Sequence, residues 1–205
     1  MTNLYSELFA ALQRLLPHHA LSRIGSLLAE ARSPWLKKLL INLFIKTFDI
    51  NLDEAASRSP KDYQNFNAFF TRALKKDARP IDSNDDVIVC PADGTVSQVG
   101  FIREGEIFQA KGKNFSSSSL LGANDKDSER FLNGNFITIY LSPKDYHRVH
   151  MPIDGELIYT RYIPGKLFSV NLATTQHIDG LFAKNERLVC MFKTPAGRCA
   201  VILVG

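Results

Sequence analysis

Residues 186–204 read ERLVCMFKTPAGRCAVILV, and this stretch decides the fold class. Two apolar runs, 186–194 and 198–204, flank the turn Pro195-Ala196-Gly197, which is a pattern typical of a β-hairpin. We therefore expect antiparallel pairing at this end of the chain. Similar short apolar runs, each bounded by turn residues, predict further strands at 86–90, 95–101, 106–111, 135–141 and 155–163.

The last of these runs, 200–204, is apolar at every position, and the sequence stops after it at Gly205. A strand that is apolar on both faces is normally covered on both sides. The pattern therefore predicts a β domain that is incomplete at its C-terminus.

The first part of the chain has helical periodicity instead. Leucines recur along one stripe of 4–16, Pro17 ends that run, and a second run covers 21–28. Ser33 and Pro34 then form a helix start signal, which predicts a third helix over the wide apolar stretch that follows. Shorter helices are expected within 53–75, a brief one near 116–121, and an exposed loop at 124–130.

These patterns predict the α+β class: N-terminal amphipathic helices followed by a mostly antiparallel β domain. We expect a helical, membrane-associating region over residues 1–60 and a β-rich catalytic domain, incomplete, over 61–205. A content of 45% hydrophobic and 22% charged residues is ordinary for a folded protein. The three cysteines have no paired spacing, which favours a reduced compartment.

The formal net charge of +4 resides entirely in the first quarter of the chain. Residues 1–48 carry six Lys or Arg side chains and two acidic ones, whereas the remainder is balanced. Lysines interrupt the third helix, so it is too short and too charged to span a membrane. Two interpretations stay open: a helical hairpin packed on its own protein, or helices lying in an anionic membrane surface. Nucleic acid is disfavoured, because the pattern lacks base-stacking aromatics among the charges.

Three segments carry candidate chemistry. The first is 145–152, DYHRVHMP, where His147 and His150 follow a predicted strand and suit acid–base work, metal binding or a structural role. In the second, PADG at 91–94, Asp93 belongs either to a hairpin turn or to a group that orients a histidine. The third, PGKLFSVN at 164–171, is a turn that presents apolar side chains, which core packing explains equally well.

Together, these segments resemble the bacterial phosphatidylserine decarboxylases. YHRVHMP and PGKLFSVN are the most specific matches, and PADG at 91–94 supports them in order and spacing. The resemblance covers essentially the whole chain and departs from the family pattern at Ala68, where the family usually has glutamate. The remaining matching segments are FNAFFTR at 66–72, RPI at 79–81, QAKG at 109–112 and LFAKNERLVC at 181–190.

The resemblance implies an enzyme of phospholipid biosynthesis that converts phosphatidylserine to phosphatidylethanolamine. Its cofactor would be a covalent pyruvoyl group, made when the proenzyme cuts itself before a serine. By the same resemblance, His150 would be the base for self-cleavage, Asp93 its orienter, and His147 the decarboxylation histidine. Leu167, Phe168 and Ser169 would lie near the substrate, and no metal is expected.

The implied partners are phosphatidylserine, an anionic membrane surface, a pyruvoyl-bearing α-subunit and a second copy of the chain. The implied location is peripheral, on the cytoplasmic side of the inner membrane. The only Gly-Ser pair here is Gly25-Ser26, in a helical stretch, so the pyruvoyl-forming serine is expected beyond Gly205 and this chain alone is expected to be inactive. The alternatives are a non-catalytic membrane-binding remnant, a metal-dependent hydrolase and a soluble pyruvoyl decarboxylase.

Overall fold

A computed structural model of the protein describes residues 2–84, 87–122 and 126–205. The three long helices at the N-terminus form as expected, and Pro17 separates the first from the second. The helices, in chain order, are α1 (Thr2–Leu15), α2 (His18–Glu30), α3 (Pro34–Phe48), α4 (Phe66–Phe70), α5 (Ser117–Leu121), α6 (Lys126–Glu129), α7 (Leu172–His177) and α8 (Leu181–Lys184), with a 3-10 turn at Pro60–Asp62.

The strands follow the N-terminal helical region. In chain order they are β1 (Thr95–Ile102), β2 (Glu106–Ala110), β3 (Lys113–Ser116), β4 (Gly134–Tyr140), β5 (Glu156–Ile163), β6 (Arg187–Thr194) and β7 (Gly197–Val204). β5, β6 and β7 form a three-stranded antiparallel sheet in that order, β2 pairs antiparallel with β3, and β1 pairs with β4. The predicted hairpin is confirmed, because Thr194 faces Gly197 across its turn. The α+β class expected from the sequence is therefore confirmed.

Two compact units make up the chain. The first unit contains residues 1–19, 96–140 and 154–205, and the second contains 20–95 and 141–153. Each unit is built from separate stretches of the chain, whereas the sequence analysis expected a single boundary at residue 60. The extent of a membrane-associating region stays a prediction.

The first unit has three apolar clusters. Ala10 of α1 packs with Phe168, Ile178 and Leu181, so the N-terminal helix belongs to the core of this unit. The second cluster joins β1, β2 and β3 and packs against Leu120 of α5; its buried members are Ile102, Ile107 and Phe115. The third cluster joins α5 to the three-stranded sheet; its buried members are Leu121, Val189 and Met191.

The second unit is built around α3. Ile41 is fully buried on one face of this helix and packs with Ile50, Tyr63 and Phe69. Asn65 caps α4 by accepting a hydrogen bond from the Ala68 backbone N–H, and Ala68 packs at the edge of the same cluster. Burial of these aromatic and aliphatic side chains supplies the main driving force for folding of this unit.

Two predictions were wrong in the described residues. Residues 87–90 of the expected strand 86–90 form no ladder; Val89 instead makes a single backbone hydrogen bond to the Pro152 carbonyl, and Ile88 is exposed. The expected loop at 124–130 contains α6, because its backbone closes a helical turn there. Residue 86 and residues 124–125 lie outside the described part. No helix in the described part of the chain is long and apolar enough to cross a membrane.

Candidate active site

The segment that carries both candidate histidines lies in the second unit, directly after residue 140. Asp145 shapes its start, since one carboxylate oxygen accepts hydrogen bonds from the Ser142 backbone N–H at 2.6 Å and the Ser142 hydroxyl at 2.8 Å. Such an aspartate turn satisfies backbone groups locally and fixes the direction in which the following side chains leave.

His147 lies between this turn and a cluster of aromatic rings, which we call the aromatic cluster: Phe44, Phe48, Phe66, Phe69 and Phe70. Its ring stacks on Phe70 with 4.0 Å between the ring centroids, and its Nε2 lies 3.1 Å from the Ser142 carbonyl oxygen. A carbonyl only accepts, so Nε2 carries the proton and Nδ1 holds the lone pair of the neutral ring. Burial lowers the pKa of His147 and outweighs the opposing effect of the hydrogen bond to the Ser142 carbonyl.

His150 is held by a backbone bond and a tyrosine. Its backbone N–H donates to the Pro91 carbonyl at 2.7 Å, which ties it to the PADG segment. Its Nε2 lies 3.0 Å from the hydroxyl of Tyr146, whose buried ring stacks on the imidazole. The Tyr146 hydroxyl therefore occupies one of the two nitrogens through which His150 would exchange protons.

Asp93 lies in the same unit, and an arginine binds its carboxylate. Arg79 donates to both oxygens, from Nε at 2.8 Å and from Nη2 at 2.5 Å, and the same Nη2 reaches Glu54 at 2.8 Å. The hydrogen bonds from Arg79 hold the pKa of Asp93 below its ordinary value, against the opposing effect of burial. Asp93 is thus kept ionised, with Arg79 as its bonded partner in the described structure.

Arg72 brings a buried positive charge to this unit. Only 4% of its surface is exposed; Nη2 donates to the Lys144 carbonyl at 3.2 Å, and the guanidinium lies 5.6 Å from the centre of the Phe69 ring. Within the described residues, its Nε and Nη1 have no hydrogen-bond partner. Burial lowers the pKa of Arg72, while the negative charges of Asp93 and Asp145 act in the opposite direction. The cation therefore retains two donors for an acceptor.

The third predicted segment belongs to the first unit. Asn185 binds the Phe168 backbone on both sides: its Oδ1 accepts from the N–H at 3.1 Å, and its Nδ2 donates to the carbonyl at 2.7 Å. Phe168 is buried, whereas Leu167 and Ser169 are half-buried. Asp93, His147 and His150 are therefore together in one unit, and residues 167–169 lie in the other.

Sequence reasoning missed Arg72, Arg79 and Tyr146. Tyr146 is adjacent to His147 in a candidate segment, but a tyrosine between two polar residues gives no signal of its own. Arg72 and Arg79 precede the 145–152 segment by about 70 residues, so only the fold shows that they share a unit with the two histidines. No group of three or more His, Cys, Asp or Glu side chains in the described ranges could hold a metal ion.

Comparison with known proteins identifies the class that this arrangement belongs to. A family model described as phosphatidylserine decarboxylase matches residues 66–205, and a second model, described as PSD, matches residues 8–49. The chain belongs to the phosphatidylserine decarboxylase family.

Individual relatives carry the name phosphatidylserine decarboxylase proenzyme. The chain is 53% identical to the protein of Alcanivorax borkumensis, over 99% of this chain and 70% of the relative. The proteins of Azotobacter vinelandii and Pseudomonas putida are also 53% identical, over 97% and 98% of this chain and 70% of each relative. The chain is thus similar to proenzymes that extend beyond the matched region.

Proposed function

We propose that this chain is part of an enzyme that decarboxylates phosphatidylserine to phosphatidylethanolamine in phospholipid biosynthesis. The observation that carries this proposal is the backbone bond between His150 and Pro91, which brings the YHRVHMP and PADG segments together in one unit. Both histidines and Asp93, the residues with suitable acid–base chemistry, lie on these two segments.

In this proposal His150 is the base for self-cleavage, and Asp93 stabilises the charge that His150 gains. Asp93 is suited to that role because Arg79 keeps it ionised. Tyr146, at 3.0 Å, fixes the Nε2 side of the ring until a serine hydroxyl arrives there. The serine that provides this hydroxyl would lie outside these 205 residues, so the chain by itself would not process or decarboxylate.

His147 would return a proton to the substrate carbon that loses CO2. A histidine with a lowered pKa is a strong acid once protonated, and burial against Phe70 excludes competing water. The two roles are separable: a variant of His150 should stop processing, whereas a variant of His147 should stop only the decarboxylation.

The pyruvoyl group of this family supplies an electron-accepting carbonyl. The second unit fits a group of that kind, because Arg72 has two buried donors without a partner among the described residues. A carbonyl or carboxylate oxygen is the complementary acceptor. Arg72 would hold and orient that oxygen, while His147 moves the proton.

The lipid substrate requires contact with a membrane surface, and α3 has a face suited to it. Ile41 is buried on the inner side of this helix, whereas Trp35, Leu39 and Leu43 are more than half exposed on the outer side. Lys38 and Lys46 flank these apolar side chains and would meet anionic head groups. This placement supports a peripheral location, with the cytoplasmic side of the inner membrane as the proposed site.

A chimera tests the enzyme function. Residues 1–205 replace the matched region of the Alcanivorax borkumensis proenzyme, and the product is assayed by gel for self-cleavage and by CO2 release from phosphatidylserine. We expect two bands and CO2. His150→Ala should leave one band, His147→Ala two bands with little CO2, and the exposed His19→Ala should behave as the unmodified chimera. Normal processing of the His150 variant would contradict the role of that residue.

The exposed apolar face of α3 favours a second candidate function, which is membrane binding without chemistry. Vesicle binding by the 205-residue chain, together with a chimera that neither cleaves nor releases CO2, would support this function instead.

A further inference from the structure

Gln13 is buried on a helix whose opposite side is a row of exposed leucines. With about 100° of rotation per residue, Ala10 and Gln13 lie on the side of α1 opposite to the leucines. Ala10 and Gln13 are 3% and 8% exposed, respectively. The leucines Leu4, Leu8, Leu12 and Leu15 are 51–82% exposed. A single helix therefore has one face in the core of the first unit and an apolar face in water.

The buried face of α1 contacts the 164–171 loop directly. The Gln13 side-chain oxygen accepts a hydrogen bond from the Ser169 backbone N–H at 3.1 Å. The Gln13 carbonyl accepts from His18 Nε2 at 2.5 Å, and the His18 ring meets Phe168 edge-on with 5.6 Å between the centroids. Ala10 packs in the same cluster as Phe168.

The rest of the unit holds the backbone of Phe168 and the carbonyl of Ser169, which accepts a hydrogen bond from the Thr174 hydroxyl, but not the Ser169 N–H. Asn185 binds the backbone of Phe168, whereas the next residue, Ser169, has its N–H on Gln13. The Ser169 N–H is therefore satisfied only while α1 is docked. A helix of this length is marginally stable in water by itself, so anything that stabilises docked α1 also orders the loop.

We propose that Gln13 is a positioning residue that couples contact of α1 with an anionic lipid surface to the arrangement of residues 167–169. This inference rests on the proposed function, which requires contact with a lipid surface, and on the expectation from the family resemblance that residues 167–169 lie near the substrate. The first quarter of the chain, which includes α1, carries the whole net charge of +4, so an anionic surface suits it. A lipid surface on the leucine side would be about one helix diameter, roughly 10 Å, from the loop. Coupling of this kind is reciprocal, so ordering of the loop also strengthens lipid contact.

Hydrogen exchange of the 205-residue chain tests the coupling. Exchange of backbone amides in 164–171 is measured with and without vesicles of equal parts phosphatidylglycerol and phosphatidylcholine. We expect the vesicles to slow exchange in this loop. Gln13→Met keeps the size of the side chain but lacks the acceptor, so the Ser169 amide should exchange about fivefold faster, and the response of the loop to vesicles should be lost. Gln13→Glu retains an acceptor oxygen and should restore part of the response.

Leu8→Glu is the matched control on the other face of the helix. This variant should weaken vesicle binding and abolish the vesicle response, while exchange of Ser169 without vesicles stays as in the unmodified chain. An equal vesicle response in the Gln13→Met variant and the unmodified chain would overturn the coupling and leave lipid contact standing. Absence of vesicle binding by the unmodified chain would overturn both the coupling and the lipid contact of the proposed function.

Discussion

Arg79 binds Asp93 through two nitrogens, at 2.8 and 2.5 Å, in the fork geometry that arginine makes with carboxylates. The pair is partly exposed to solvent, as is Glu54, the second acid on the same guanidinium. Its contribution to stability is therefore modest, and its main consequence is to fix the position and charge of Asp93.

Arg79→Met should lower the free energy of unfolding at pH 7 by about 0.5–1 kcal/mol. Asp93 has a lowered pKa in the folded chain, so its stabilising contribution is present above about pH 3.9, its ordinary value, and is lost as the pH falls through the folded value. Urea titrations at pH 7 and pH 3 measure this difference. Arg58→Met removes a more exposed pair with Asp53 and should have little effect; equal losses for both variants would refute the special role of Arg79.

Phe70→Leu should raise the pKa of His147 toward about 6.5, because the stacked ring no longer excludes water from the imidazole. A lowered native pKa means that the folded protein loses stability as the pH falls from about 6.5 toward the native value. The Phe70→Leu variant should therefore lose less folding stability over this pH range than the unmodified chain. An NMR titration of the ring proton measures the pKa. Phe48→Leu, in the same aromatic cluster but on α3, should leave it unchanged.

Tyr146→Phe should release the Nε2 atom of His150 while keeping the stacked ring in place. Loss of this hydrogen bond should lower the free energy of unfolding by about 0.5–1.5 kcal/mol. The 15N chemical shifts of the His150 ring should also change toward a mixture of tautomers. Tyr162→Phe loses an exposed hydroxyl that donates to Glu186, and little change in stability is expected there. Unaltered 15N shifts in the Tyr146 variant would contradict the bond.

Gly165→Ala should destabilise the loop that carries residues 167–169. A methyl group at Gly165 would lie 2.5 Å from the Lys184 carbonyl oxygen and the Asn185 carbonyl carbon, both of which are backbone atoms. Thermal unfolding should show a loss of about 1–3 kcal/mol or more. Gly25→Ala in α2 meets nothing within 4 Å and should instead stabilise by up to about 1 kcal/mol. A neutral Gly165 variant would mean that the two backbones separate readily.

Periodicity predicted most of the regular structure because each element depends on its own residues and its nearest neighbour. The hairpin of β6 and β7 needs only two apolar runs and a short turn. Residues 87–90 are apolar like the two runs of the hairpin, but they have no partner strand in the described chain. Strand formation depends on pairing, which the local sequence does not encode.

The candidate site was predictable only in part. His147, His150 and Asp93 stand in unusual local sequences, so the pattern drew attention to them. Arg79 and Tyr146 stand out only through their contacts, at 2.5–2.8 Å and 3.0 Å, respectively, with groups selected on other grounds. For Arg79 that contact joins residues 14 positions apart in the sequence, a separation that matches no helical or strand periodicity.

The two faces of α3 should also differ in mutational tolerance. At Ile41, which is fully buried among aromatic rings, side-chain shape matters, and even a change of one methyl group should reduce folding. At Trp35, Leu39 and Leu43 the side chains stand in the open, so folding should accept most replacements. In a saturation scan of this helix that selects for folding, the number of accepted substitutions should rise and fall about every 3.6 residues. If the scan selects for growth instead, fewer substitutions should be accepted on the outer face, while the inner face should give the same result.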